Sequence, residues 1–248
     1  MVKPQRPRLY KPIFLATHKP HLNYYSVFRS AAAKLSGYPD WITDFTSITL
    51  QDFDHRCSLT IQHNSFGFSQ DSDDVKNEEA RLKEALDVLP RELQIKSFVR
   101  LGYRRQYLVP VDMSFEALVS IISLKLLSHD EQLEQIIPGQ TKDLLYRIDC
   151  VEGDYRYHLH LGPLRRAEIP RWIVFEADNH LPPAVRSDQL RQIISGYPEV
   201  STLIDIDMYR AADNISDAEA KTFIPHAQKK VDELALRFHE YLFSTEVK

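Results

Sequence analysis

One pattern occurs twice in this 248-residue chain, a strand-like run followed by a helix-like run. The first copy is Phe98–Arg104, followed by the apolar stretch Ser114–Leu127. The second copy is Leu203–Tyr209, followed by a long amphipathic stretch near the end of the sequence. Because an alternating run is typical of a strand and a three-to-four-residue period is typical of a helix, the pattern predicts an α+β fold.

The remaining elements of the first part are typical of the same fold class. A strand is predicted over Ile13–Ala16 and a helix over Tyr24–Leu35. Two or three strands over Thr46–Ser69, a helix over Val75–Leu89 and a strand over 96–109 follow. We expect the helix Val75–Leu89 to begin after the acidic loop Asp71–Asp74 and to end at Pro90. This order is compatible with helices that cover one face of an antiparallel sheet.

The second part repeats the theme less regularly. A helix over Phe115–Leu127 comes first, followed by strands over Leu144–Val151, Tyr155–Leu161 and Trp172–Ala177 and a short helix over Asp188–Ser195. A strand from Leu203 and a long final helix, whose apolar stripe runs from Val231 to Leu242, complete it. We predict two packed lobes of mostly antiparallel sheet covered by helices, residues 1–112 and 113–248, with an internal duplication as one explanation.

Composition excludes several classes of function. The net charge of −4 gives no overall polycation for nucleic acid, and seven glycines are too few for a glycine-rich phosphate loop, of which neither common form is present. Two cysteines form no disulfide framework, and no apolar run approaches the length of a membrane span. We therefore expect a cytoplasmic protein with reduced thiols, no membrane association and no predicted cofactor.

Two pairs of carboxylates are the candidate catalytic residues. Asp205 and Asp207 are two residues apart in a strand and therefore share a face, while Ile204 and Ile206 lie on the other face. Glu176 and Asp178 have the same spacing. Carboxylates on neighbouring strands can hold Mg²⁺ in hydrolases and nucleases. The same alternation also arises on the solvated face of an ordinary antiparallel sheet, and that interpretation is the commoner one.

A second candidate is the pair His158 and His160. Both imidazoles share one strand face with Arg156, while Tyr157 and Leu159 take the other. His-x-His on a strand is a known metal-ligand geometry, although it needs a further ligand from elsewhere in the fold. A surface histidine pair beside an arginine is the alternative.

A third candidate is a set of basic and aromatic residues in the central strand: Arg100, Tyr103, Arg104 and Arg105. Arginine and tyrosine on a sheet are what many single-stranded RNA binders use for phosphate contact and stacking. The same residue types are enriched in protein interfaces, and the net negative charge does not favour nucleic acid.

The two motifs resemble a sporadically distributed prokaryotic family of proteins of similar length and uncharacterised function. Its central strand is similar to Arg100–Arg105, and its acidic strand is similar to Leu203–Tyr209, followed by a helix with residues like Phe238-His239 and Phe243. Arg105 stands where that family usually has tyrosine. The patchy distribution implies a context of mobile or defence-related genes.

The sequence favours a non-enzymatic interaction or accessory protein of a multi-component system, because no catalytic constellation emerges. Its expected partner is another protein or a second copy of the chain. A metal-dependent hydrolase or nuclease and an RNA-binding module are the alternatives.

Overall fold

The computed structural model describes residues 6–20, 24–127, 141–172, 188, 191–192 and 194–244. Its strands are β1 (Arg8–His18), β2 (Asp40–Thr43), β3 (Ser47–Asp52), β4 (Cys57–Gln62), β5 (Ser65–Gln70), β6 (Phe98–Pro110), β7 (Tyr146–Glu152), β8 (Tyr155–Arg165) and β9 (Val200–Ile215). Its helices are α1 (Tyr24–Ala33), α2 (Val75–Glu92), α3 (Phe115–Leu127), α4 (Ile169–Trp172) and α5 (Asp217–Phe243), and a 3-10 turn spans Arg166–Glu168.

The strands form one antiparallel sheet in the order β2-β3-β4-β5-β1-β6-β9-β8-β7. This confirms the predicted α+β class. Residues 1–112 and 113–248, predicted as two lobes, both contribute to this single sheet, because β6 pairs with β1 on one side and with β9 on the other.

The main core lies between one face of the sheet and helices α1, α2, α3 and α5. Alternate strand residues such as Phe14, Phe66 and Ile206 are buried there with Leu82 of α2 and Val231 of α5. We call the other side of the sheet the open face. One end of the open face carries a small second core, which contains Leu108, Leu164, Ile169, Tyr197 and Leu203.

The strand order contains a topological repeat. β1, α1, β3, β4, β5 and α2 correspond in order to β6, α3, β7, β8, β9 and α5. The two sets run outward from the central antiparallel pair β1–β6 in the same spatial order. β2 is the extra strand of the first set, with no counterpart among the described residues. An approximate twofold axis through β1–β6 therefore relates the halves, and the boundary lies between Glu92 and Phe98.

Several predicted boundaries are wrong, and two of them have an identifiable cause. α2 continues through Pro90 to Glu92, because Pro90 lies in the last turn and Leu93 N–H still donates to Leu89 O at 2.9 Å. β9 begins at Val200 and continues to Ile215, beyond the predicted run, since β6 offers it a long partner. Of the predicted strand Trp172–Ala177, Trp172 ends α4 and the rest lies outside the described residues. In the predicted helix Asp188–Ser195, the described residues 188, 191–192 and 194–195 are helical.

Side-chain caps fix the beginnings of the two long helices. Asp74 accepts a hydrogen bond from Asn77 N–H at 3.0 Å at the start of α2, as the acidic loop predicts. Ser216 and Glu219 form a reciprocal capping box at the start of α5. None of the helices in the described ranges is long and apolar enough to cross a membrane.

Candidate functional site

The sheet brings the predicted acidic and histidine candidates together. β9 lies between β6 and β8, so that Asp207 is opposite His158 on one side and Arg104 on the other. Asp205 is opposite His160 in the same register. Directly opposite residues of an antiparallel pair share a face, so these side chains all lie on the open face.

We define the charged patch as eight polar open-face residues of β6, β9 and β8. Its members are Arg100, Arg104, Arg156, His158, His160, Asp205, Asp207 and Tyr209. The apolar residues between them, including Tyr157, Leu159, Ile206 and Met208, are buried on the helix-covered face. The alternation predicted for both strands is therefore confirmed.

Asp205 is buried and fully engaged at the centre of the charged patch. Its side chain is only 1% exposed, and Arg104 donates from Nε to Oδ1 at 2.7 Å and from Nη2 to Oδ2. Gln106 Nε2 donates to Oδ2 at 3.3 Å, and His160 Nδ1 lies 3.7 Å from the same oxygen. Burial would raise the pKa of Asp205, but the hydrogen bonds from Arg104 and the nearby His160 ring outweigh it and hold the pKa below its ordinary value.

Asp207 has the opposite electrostatic character. Burial raises its pKa above the ordinary value, because the attraction of Arg100, Arg104 and His158 only partly compensates for lost hydration. Arg100 Nη2 lies 3.7 Å from its Oδ2, and the side chain is 24% exposed. Asp207 is therefore the carboxylate of the patch that a ligand can still reach.

Tyr209 forms a stacked group that the sequence analysis missed. The Arg100 guanidinium lies 4.6 Å from its ring centroid, and the His158 ring lies 5.1 Å away at 31°. His158 Nδ1 is also 2.6 Å from Asp149 Oδ1 of β7. The signal was available, because Tyr209 has the same strand parity as Asp205 and Asp207.

The prediction that Tyr103 and Arg105 belong to the same surface as Arg104 is wrong. Strand alternation turns them to the helix-covered face, where they are 0% and 2% exposed. There Arg105 Nη2 donates to both carboxylate oxygens of Glu78, at 2.9 and 3.1 Å. Neither side chain can contact a ligand at the surface, so Arg100 and Arg104 remain from the predicted basic set.

We call this second cluster the buried network. It consists of Glu78 from α2, Tyr103, Arg105 and Tyr107 from β6, and Gln228 and Asp232 from α5. Burial opposes the charge of Arg105, but Tyr103 and Glu78 raise its pKa above the ordinary value. The buried network ties both long helices to the central strand.

The predicted metal ligands do not converge into a metal site within the described ranges. No group of three or more His, Cys, Asp or Glu side chains there has a geometry that could hold a metal ion. Asp205 accepts a bidentate pair from Arg104, and a guanidinium at that position occupies the oxygens that a cation would need. Glu176 and Asp178 lie outside the described residues.

Comparison with known proteins gives no family assignment. No family model matches the chain, and no curated protein matches it. The structure of Methanococcus jannaschii TBP aligns with 92% of this chain and 99% of its own length, at a TM-score of 0.29 and 10% identity. A likeness at this level carries no argument about function. The resemblance to the sporadically distributed family stays a prediction.

Proposed function

We propose that this chain is a non-enzymatic interaction protein whose charged patch holds an acidic segment of a partner protein. The observation that carries the proposal is the fixed arrangement of ion pairs on the open face. Arg104 is held by Asp205 and Arg100 lies beside Asp207, so the side chains are ordered before a partner arrives. Binding to an ordered surface loses less conformational entropy.

The charge balance of the charged patch favours an acidic partner. Three arginines face two aspartates, and Arg156 is exposed. The side chains of Arg100 and Arg104 are each 37% exposed, which leaves part of each guanidinium for a carboxylate. Gly102 lies between them without a side chain, and the space around it is bounded by Asp207 and Tyr209.

The engagement of Asp205 supports a binding role over hydrolysis. A metal-dependent hydrolase needs carboxylate oxygens that are free to bind the cation. A carboxylate held by Arg104, Gln106 and His160 instead sets the position of its donors. A cytoplasmic multi-component system is the context that we propose, and the resemblance noted in the sequence supports its multi-component part.

The test is native mass spectrometry of the full chain purified gently from its own host. We expect a stoichiometric partner protein with the unmodified chain and its loss in Arg156→Glu. Arg237→Glu is the matched control, because Arg237 is exposed on α5, away from the open face. Retention of the same partner by Arg156→Glu, or purification of the unmodified chain without a partner, would contradict the proposal.

The Tyr209 stack favours single-stranded RNA as a second candidate ligand. Base stacking on an aromatic side chain contributes about 1–3 kcal/mol per base. Fluorescence anisotropy with a labelled oligouridine would then show salt-sensitive binding that Tyr209→Ala removes. Tyr241→Ala is the control, since Tyr241 is an exposed tyrosine of α5. Equal binding by both variants would exclude this surface for RNA.

A further inference from the structure

The edge strand β2 is exposed along its whole length. All four residues, Asp40–Thr43, are exposed, and β2 pairs with β3 on one side only within the described residues. Trp41 is 54% exposed and Ile42 is 42% exposed. An edge strand presents unpaired backbone N–H and C=O groups on its free side, so an exposed apolar edge is a template for a further strand.

The turn after β2 holds this edge in a defined conformation. Asp44 Oδ1 accepts from Thr46 N–H at 2.6 Å and from Ser47 N–H at 2.7 Å, and both hydroxyl groups also donate to the carboxylate. The hydroxyl bond from Ser47 and the bonds from Thr46 lower the pKa of Asp44 to about 2. The same turn presents Phe45 at 90% exposure. The edge is therefore ordered and apolar at once.

The opposite edge of the sheet is protected in the way that edge strands usually are. β7 carries Arg147, Asp149 and Glu152, and charged side chains discourage pairing with another chain. Asp149 is bonded to His158, and Glu152 is bonded to Lys230 and Tyr157. β2 has Asp40 as its single charged residue. This contrast marks β2 as the edge that is available for pairing.

We propose that β2 pairs antiparallel with β2 of a second copy of this chain, around a twofold axis at Trp41. Such an axis stands perpendicular to the sheet, so a residue must face its own equivalent. With Trp41 at the centre, Asp40 lies opposite Ile42 of the second copy. With Ile42 at the centre, Asp40 would lie opposite Asp44 of the second copy, and like charges directly opposite are destabilising.

The resulting dimer would continue the sheet from one copy into the next. Trp41 lies opposite Leu50 on the helix-covered face, so the two Trp41 rings would pack beside each other at the edge of both cores. Ile42 and Asp40 would meet on the open face. This pairing goes beyond the proposed binding of an acidic segment and does not depend on it.

The test is sedimentation analysis of the purified full chain over a range of concentrations. We expect a mass of two chains for the unmodified protein and a halved mass for Trp41→Lys, because a lysine on an edge strand blocks pairing. Val151→Lys on β7 is the matched control, since Val151 is an exposed apolar residue of the other edge, and it should keep the dimer.

Thermal unfolding of Trp41→Lys checks that the monomer still folds, as expected for a side chain that is already half exposed. A monomeric unmodified protein at every concentration would overturn the proposal. So would a dimer that survives Trp41→Lys or is lost in Val151→Lys. Arg156→Glu should leave the dimer intact, which separates this result from that for the charged patch.

Discussion

Arg104 and Arg105 are neighbours in β6, yet they occupy opposite environments. Arg105 is 2% exposed under the helices and is paired with Glu78, which is 0% exposed. Arg104 is 37% exposed on the open face and is paired with the buried Asp205. One arginine is sealed into the core, and the other offers part of its guanidinium to the surface. The difference shows that an arginine pair can serve the fold or a ligand, depending on the face it occupies.

The largest expected effect comes from breaking the sealed pair. Arg105→Met leaves the Glu78 carboxylate buried without its arginine partner, so we expect a loss of about 3–5 kcal/mol in the free energy of unfolding. Urea denaturation measures it. In the double variant Arg105→Met with Glu78→Leu, most of that loss should be recovered, because no uncompensated charge remains. A single variant as stable as the unmodified protein would show that the pair contributes nothing.

The next effect comes from Asp205. Asp205→Asn keeps the shape but removes the charge that Arg104 binds, so we expect a loss of about 1.5–3 kcal/mol at neutral pH. The folded-state pKa of Asp205 is lowered, so its stabilisation is present above the unfolded-state pKa and is lost as pH falls through the folded-state pKa. The gap between variant and unmodified protein should therefore shrink in acid. A constant gap across pH would contradict the ion pair.

Asp207 should respond with the opposite sign. Its folded-state pKa is raised, so it favours folding at acidic pH, and this contribution is lost as pH rises towards the folded-state pKa. At neutral pH, Asp207→Asn should leave the free energy of unfolding unchanged or raise it by up to about 1 kcal/mol. The expected gain is small because the Asp207 side chain is partly exposed. Denaturation at the same pH values as for Asp205→Asn provides the comparison. A loss equal to that of Asp205→Asn would refute the assignment.

The smallest effect is expected at the rim of the open face. Arg147 is 63% exposed, and its ion pair with Asp149 is solvated. Arg147→Ala should change stability by less than about 0.5 kcal/mol. Arg104→Ala is the comparison within the same face, because it leaves Asp205 buried without its main donor and should cost several times more. Equal losses would mean that burial of Asp205 does not set the strength of its pair.

For much of the site, the sequence could predict which residues share a face of one strand. The alternation in β9 predicted that Asp205 and Asp207 lie on one face of the strand and Ile204 and Ile206 on the other. The alternation in β8 predicted that His158 and His160 share a face. The same rule, applied to β6, would have separated Arg105 from Arg104. The prediction grouped the two arginines because they are the same residue type. As adjacent residues of a strand, however, they lie on opposite faces.

The contacts between strands could not be predicted in this way. His158 reaches Asp207, and Arg104 reaches Asp205, through pairings that join residues far apart in the sequence. Asp205 is buried where it pairs with Arg104, which lies 101 positions earlier in the sequence. The pKa difference between Asp205 and Asp207 depends on those neighbours, since the two residues are chemically identical.

The sequence by itself determined the α+β class, the start of α2 and the face on which the predicted residues of β8 and β9 lie. These follow from local periodicity and capping, which involve residues within a few positions of each other. Only the tertiary structure decided that β9 lies between β6 and β8, that the halves share one sheet, and that β2 is left as an exposed edge. Strand order is set by long-range pairing and core packing, which local alternation does not specify.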